Sequence, residues 1–231
     1  MEYEYKNHSI QVRSKIRRSV MTWGMGLLAL TLYMLVSISQ ALAADEVTRS
    51  HRIDIEGQQT LVIENGVGRI EVRAHDKSEI YAEVIIEAGR QGIFRRKVDV
   101  SNTDITIERS STQIRLALKE DNISANWVIY VPELEHLRLD NGVGQIKTEW
   151  LNSGLDLNVG VGDVRVNVDV EQLGDFSANV GVGSIKAEGL QQYNSSRRVV
   201  AESSSGKGRG DKHLTIEVGV GDIQVNAKSA R

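Results

Sequence analysis

The sequence contains no cysteine, only one proline and few aromatic residues. The absence of cysteine excludes disulfide frameworks, thiolate catalysis and zinc sites built on thiolates. A single proline argues against a proline-rich linker, whereas 21 glycines suit many tight turns between hydrogen-bonded strands. Hydrophobic residues make up 40% and charged residues 26% of the 231 residues, as in one ordinary globular domain. The composition therefore predicts an all-β domain that is stabilised by burial.

Residues 1–43 have the organisation of a secretory signal peptide. Basic residues precede an uncharged run over 21–38, and the small residues Ala41 and Ala43 follow it. This order predicts cleavage before Ala44. An uncleaved membrane anchor is the alternative, because the 18 residues of the run are the lower bound for a membrane span. In both cases the remainder of the chain is expected in the periplasm or cell envelope.

The mature chain is acidic. The leader carries five basic and two acidic residues, which leaves 23 lysines plus arginines (28 − 5) against 29 aspartates plus glutamates (31 − 2), a net charge of −6. No basic stripe with interleaved aromatic residues is present. Nucleic-acid binding is therefore not expected.

Five segments of the mature chain repeat one pattern, in which an apolar alternation is followed by Gly-Val-Gly and a second apolar alternation. The segments begin at Leu61, Leu137, Leu155, Phe176 and Leu214. Their first glycines are 76, 18, 21 and 38 residues apart, which fits a period of roughly 19 residues with degenerate units in the two long gaps. The first long gap contains further short alternating segments, which are typical of strands.

Within each unit the parity of the apolar positions changes once, near the second glycine. A phase change of one residue between two strands requires a corner or bulge, where glycine can adopt a positive φ angle. The predicted turn glycines are Gly66, Gly68, Gly142, Gly144, Gly160, Gly162, Gly181, Gly183, Gly219 and Gly221. The valines between them are expected to stack inside the core; they are Val67, Val143, Val161, Val182 and Val220.

Two architectures satisfy this pattern. In a parallel β-solenoid each unit forms one coil, whereas in an antiparallel β-sandwich or meander each Gly-Val-Gly is a hairpin turn. The solenoid is favoured because the turn residues persist while the outward residues vary. We predict one solenoid domain over 44–231, with an exposed loop at about 189–212 that is rich in serine, glycine, lysine and arginine.

Several features combine over most of the mature chain, from about His51 to Ala227. They are the leader, the opening segment HRIDIEGQQTLVIENGVGRIEVRAHDKSEI, the strand end Tyr130-Val131-Pro132 and the tandem Leu-x-Leu-x-x-Gly-Val-Gly-x-Ile-x-Val units. In this combination the chain resembles the putative adhesin families of bacterial β-strand-repeat proteins of unknown function. The resemblance implies an exported bacterial protein with a right-handed parallel β-helix-like fold, and it supplies no catalytic residues.

One candidate ligand-binding feature lies five residues after the first glycine of each unit. Three units in sequence carry Lys147, Arg165 and Lys186 at this outward position. We predict that they stack into a basic column able to bind a polyanion such as an acidic envelope glycan. The alternative is a solvated face whose charges are balanced by nearby carboxylates.

Other site motifs are weak. Gly-Val-Gly-Asp at 160–163 and 219–222 resembles calcium-binding turns, but the order of units along the chain pairs no two aspartates. The four histidines of the mature chain, His51, His75, His136 and His213, have no partner at metal-ligand spacing. The sequence also shows no dinucleotide fingerprint, P-loop or nucleophile elbow, so no cofactor is expected. A match of three residues to an integrin-binding tripeptide, at 209–211, is expected by chance.

The sequence therefore predicts a non-enzymatic envelope module, adhesin-like or scaffolding, that binds a glycan or an envelope protein. A membrane-tethered module that senses envelope stress is the alternative if the leader is retained. A carbohydrate-active β-helix enzyme is less well supported, because no acid/base cluster is visible.

Overall fold

The computed structural model describes residues 45–55, 59–91, 96–149 and 151–229, which belong to one compact unit, Ala44–Arg231. These residues form strands and turns, and they include no helix. The all-β prediction is therefore confirmed. No helix able to span a membrane is found in this part of the chain. The predicted leader, 1–43, lies outside the described residues.

Fourteen strands follow one another along the described chain. They are β1 (Glu46–Asp54), β2 (Thr60–Ala74), β3 (Glu79–Ala88), β4 (Arg90–Gln91), β5 (Arg96–Lys97), β6 (Thr106–Arg109), β7 (Gln113–Leu118), β8 (Ile123–Val131), β9 (His136–Glu149), β10 (Gly154–Asp169), β11 (Leu173–Glu188), β12 (Gln191–Arg198), β13 (Ala201–Lys207) and β14 (Lys212–Lys228). Strands β4 and β5 pair with each other, and the other twelve form one sheet.

The large sheet mixes parallel and antiparallel pairs. Its order is β1-β3-β8-β2-β9-β10-β14-β11-β13-β12, and β7 pairs with both β2 and β6. The central strands from β8 to β11 are mutually parallel. The ladders at both margins, β1-β3-β8 and β11-β13-β12, are antiparallel. The sheet is therefore not the uninterrupted parallel stack that the repeats predicted.

The repeat units are not stacked in chain order, because β14 lies between β10 and β11. The first long gap does contain a degenerate unit. Strand β7 pairs with the first half of β2 and β8 with its second half, as a bent repeat strand would. The second long gap does not contain one, because β12 and β13 form an antiparallel hairpin. The loop predicted at 189–212 is therefore largely a strand hairpin. All eight side chains of β12 are exposed, and its sequence has no apolar alternation that would predict a strand.

Gly-Val-Gly bends each long strand without ending it. Strand β9 has 14 residues, and four residues separate its end from the start of β10. The first residue of β10, Gly154, is the register partner of the first residue of β9, His136. A straight strand of this length would extend about 43 Å, whereas the connection reaches at most about 18 Å. Strand β9 must therefore bend back towards its own start. The chain keeps its parallel register through the motif, so the hairpin-turn alternative is wrong.

The second glycine of each motif forms the corner, as predicted. Its φ angle lies between +127° and +149° in all five units, at Gly68, Gly144, Gly162, Gly183 and Gly221. The first glycine is not among the residues with positive φ. In β10 the apolar positions on both sides of the corner enter one core and are 0% to 4% exposed; they are Leu155, Leu157, Val159, Val164, Val166 and Val168.

Candidate functional site

The valine between the two glycines of each motif faces solvent. These five side chains are 44% to 49% exposed. They are register partners on consecutive strands and form the valine row: Val67, Val143, Val161, Val220 and Val182. The predicted internal column is therefore wrong. Alternation between the faces holds only along a regular strand, and at the bend the residue at the apex points away from the core.

A shallow trough runs beside the valine row, because the first glycines have no side chains to fill it. Two adjoining cavities of 480 and 590 Å³ share Asn158 and Gly160 and together reach the first glycine of all five motifs. The wall opposite the valines is polar and includes Asp140, Asn158, Glu217 and Asn179. Five strands at a spacing of about 4.8 Å give the trough a length of about 19 Å. An apolar ridge therefore borders a line of hydrogen-bonding groups.

Two buried asparagines brace one end of the trough. The Nδ2 of Asn65 donates to the Oδ1 of Asn141 at 3.1 Å and to the carbonyl oxygen of Ala125 at 3.2 Å. The Nδ2 of Asn141 donates to the carbonyl oxygen of Gly68 at 2.9 Å. These amides fix neighbouring strands at the corner. The signal in the sequence is the replacement of valine by asparagine just before the motif in two of the five units.

The carboxylate at the β2 end of the polar wall is held in ion pairs. The Oε2 of Glu64 lies 2.7 Å from the Nη2 of Arg115, and Lys119 pairs with the same oxygen. The hydrogen bonds from Arg115 and Lys119 lower the pKa of Glu64 to about 2. Glu64 is therefore ionised at neutral pH and links β2 to β7.

The predicted basic column is interrupted. Lys147 and Arg165 are register partners, but Gln224 of β14 lies between Arg165 and Lys186. Lys147 also pairs with Glu71 at 3.3 Å, and the hydrogen bonds that its ammonium donates to Glu149 and Glu71 raise the pKa of Lys147.

The other two basic residues of that column differ in their partners. The Nζ of Lys186 lies 3.0 Å from the Oε1 of Glu188, and this contact lowers the pKa of Glu188. Arg165 is exposed and has no ion pair within the described part of the chain. The predicted adjacency of Arg165 and Lys186 is therefore wrong, and polyanion binding at these residues stays a prediction.

The aspartates after two of the motifs are neighbours, contrary to the prediction from chain order. Strand β14 lies beside β10, so Asp163 and Asp222 occupy equivalent positions on adjacent strands. The backbone N–H of Asp222 donates to the Oδ1 of Asp163 at 3.1 Å, and the N–H of Ser184 donates to the Oδ1 of Asp222 at 2.9 Å. These carboxylates satisfy backbone donors at the bend of the next strand, which is a structural role.

The order of strands also brings together three residues that seemed unrelated in the sequence. His136 of β9, Asp156 of β10 and His213 of β14 have potential ligand atoms that all lie within 4.8 Å of one another. The two histidines have no partner at metal-ligand spacing along the sequence, but the fold places both beside one carboxylate. The residues are 20 and 57 positions apart in the chain, and no local spacing would have revealed them.

The tripeptide at 209–211 is held against the rest of the fold. The backbone N–H groups of Arg209 and Gly210 donate to the carbonyl oxygens of Val170 and Leu173, each at 2.8 Å. The guanidinium of Arg209 pairs with Glu171. This segment is therefore tied to the turn before β11 and is not a free loop tip.

These observations define an all-β protein with a mixed sheet and a row of Gly-Val-Gly bends. The fold is similar to that of a "putative cell adhesion protein" from Clostridium sporogenes, with a TM-score of 0.50 and 15% identity over 79% of this chain and 100% of that chain. No protein-family model and no curated protein matches the sequence.

Two further solved structures are each described as a "putative adhesin". The one from Parabacteroides distasonis has a TM-score of 0.31 and 14% identity over 78% of this chain and 70% of that chain. The one from Bacteroides fragilis has a TM-score of 0.32 and 11% identity over 78% and 96%. The similarity to the Clostridium sporogenes structure confirms the predicted resemblance at the level of the fold. At these identities the likeness concerns the fold.

Proposed function

We propose that this chain is a non-enzymatic, exported, adhesin-like module of the bacterial cell envelope that binds its partner through the valine row and the adjoining trough. The observation that carries the proposal is the alignment of five half-exposed valines on consecutive strands. Contiguous exposed apolar surface on a soluble domain marks an interaction site. The cell adhesion role named for the Clostridium sporogenes protein supports the same class of function.

The chemistry of the surface favours an envelope protein over an acidic glycan as the partner. The ridge is aliphatic, and the opposite wall offers the amides of Asn158 and Asn179 and the carboxylate of Glu217, while the carboxylate of Asp140 is already paired with Arg138. Two of the three predicted basic residues already have carboxylate partners. Backbone and side-chain amides of a protein can satisfy the polar wall while its apolar side chains cover the valines.

We also infer that strands β9 and β10 are consecutive coils of a short solenoid. Strands β9 and β10 each bend at Gly-Val-Gly, and only four residues separate the end of one from the start of the next in parallel register. From β9 to β10 the chain therefore advances by one strand, as in a solenoid coil, whereas from β10 to β11 it skips the position that β14 occupies.

Truncation of three valines of the row should weaken binding without unfolding the domain. We expect the triple variant Val143→Ser, Val161→Ser, Val220→Ser to lose binding to isolated bacterial envelopes by about tenfold or more, because the apolar contact area is lost. The matched control is Val199→Ser with Val200→Ser, since these valines are 94% and 51% exposed on the β12–β13 turn. Binding is measured by cosedimentation, and the fold is checked by circular dichroism.

Pretreatment of the envelopes identifies the partner class. Loss of binding after protease digestion supports a protein partner, whereas loss after periodate oxidation assigns the surface to a glycan and overturns the protein assignment. If the wild-type chain does not bind envelopes, or if the triple variant binds as well as the control, the proposed role of the valine row is wrong.

Export is tested by intact mass and fractionation after expression in a Gram-negative host. We expect a chain that begins at Ala44 and is recovered from the periplasm, because Ala41 and Ala43 suit signal peptidase. An intact chain that remains with the membrane would instead support the tethered sensing module.

A further inference from the structure

Three adjacent strands place two histidines on either side of a glycine. His136 of β9 and Gly154 of β10 are register partners, and the register of β10 with β14 places His213 on the other side of Gly154. The two imidazole rings stack across the glycine with centroids 5.0 Å apart and an interplanar angle of 21°. A Cβ at Gly154 would lie 2.9 Å from the Nδ1 of His136 and 2.7 Å from the Cε1 of His213. The missing side chain at this position is therefore what allows the rings to meet.

A carboxylate lies beside both rings. Asp156 is two residues after Gly154, so it is on the same face of β10. Its Oδ2 lies 3.0 Å from the Nε2 of His136, and its Oδ1 lies 3.7 Å from the Nε2 of His213. Each of its oxygens therefore faces a different histidine.

We propose that His136, Asp156 and His213 form a binding site for a divalent transition-metal ion, and that Zn²⁺ is the ion best suited to it. Two imidazole nitrogens and one carboxylate oxygen are a common set of protein ligands for zinc. In tetrahedral coordination two nitrogen or oxygen atoms bound to one zinc ion lie about 3.4 Å apart. Because the three ligand atoms already lie within 4.8 Å of one another, small side-chain rotations are sufficient.

The surroundings leave room for a further ligand. The side chains of His136, Asp156 and His213 are 21%, 35% and 53% exposed. The nearest cation along β9, Arg138, is held by Asp140, with 2.9 Å between its Nε and the Oδ2 of the carboxylate. Water or a side chain from a partner can therefore complete the coordination, as in zinc sites with three protein ligands.

Metal binding at this place would connect three strands. The ligands come from β9, β10 and β14, and β14 is the strand inserted between β10 and β11. An ion that binds only the folded chain stabilises it in proportion to its occupancy. We therefore expect Zn²⁺ to raise the melting temperature as well as to bind.

The test is calorimetric titration of ZnCl₂ into the tag-free chain after treatment with a chelator and buffer exchange, with the melting temperature measured in parallel. We expect one ion per chain for the wild type. The variants His213→Ala and Asp156→Asn should each weaken binding by about tenfold or more and abolish the rise in melting temperature. Asp156→Asn keeps the size of the side chain, so its loss of binding does not depend on misfolding.

The matched control is His51→Ala. His51 forms a comparable pair with Asp104, with 2.8 Å between its Nε2 and the Oδ1 of the carboxylate. Among the described residues, His51 belongs to no group of three potential metal ligands. Unchanged zinc binding in His51→Ala supports the proposal. The proposal is overturned if the wild type binds no zinc, if His213→Ala or Asp156→Asn binds as the wild type does, or if His51→Ala weakens binding equally.

Discussion

Substitution of Gly162 by alanine is expected to destabilise the domain by about 3 kcal/mol or more. Gly162 has a φ angle of +140°, which an L-residue with a side chain adopts only under strain. A Cβ at this position would also overlap the carbonyl oxygen of Gly144. Gly144 is the register partner of Gly162 on β9, so the clash cannot be relieved without separating two central strands. Strain and steric overlap therefore act on the same residue.

The matched control is Gly66→Ala. A Cβ at Gly66 would have its nearest neighbour at 3.8 Å, the Cα of Lys119, and Gly66 is not among the residues with positive φ. We expect this variant to change the free energy of unfolding by no more than about 1 kcal/mol. Urea denaturation followed by circular dichroism measures both variants. Equal midpoints for the two variants would show that the corner does not require glycine.

Aspartate at two neighbouring positions of β10 should have opposite consequences. Val159 and Val161 are two residues apart and would share one face of a straight strand. Val159 is 3% exposed and belongs to the core, whereas Val161 is 49% exposed. We expect Val159→Asp to cost on the order of 4 kcal/mol, because it buries a carboxylate without a partner. We expect Val161→Asp to stay within about 0.5 kcal/mol of the wild type.

The comparison is made by thermal and urea denaturation of both variants under identical conditions. It tests the direction of the side chain at the apex, because the substitution and the strand are the same. If Val161→Asp were as destabilising as Val159→Asp, the valine row would belong to the core. That result would also remove the basis for a binding surface there.

The sequence predicted the corner but not the side to which its apex points. The alternation of Leu155, Leu157 and Val159 indicated one buried face, and the change of parity indicated a break near Gly162. Alternation is defined only within a regular strand, so it could not place Val161. The direction of that residue depends on how sharply the backbone bends, which is a property of the assembled sheet.

The order of the strands was also beyond the reach of the sequence. The five units share one local pattern, so each can pair with any other, and their order along the chain suggested that β11 follows β10 directly. Insertion of β14 between them separates Arg165 from Lys186 and brings His213 near His136. The failure of the predicted column and the missed histidine cluster therefore have one cause.

That insertion also has a consequence for folding during synthesis. Strands β10 and β11 emerge from the ribosome before β14, and on each of them the edge that pairs with β14 has no partner until β14 is available. A nascent chain that ends before 212 consequently has two open strand edges, which are prone to pair with other chains. Completion of the sheet must wait until β14 has been synthesised.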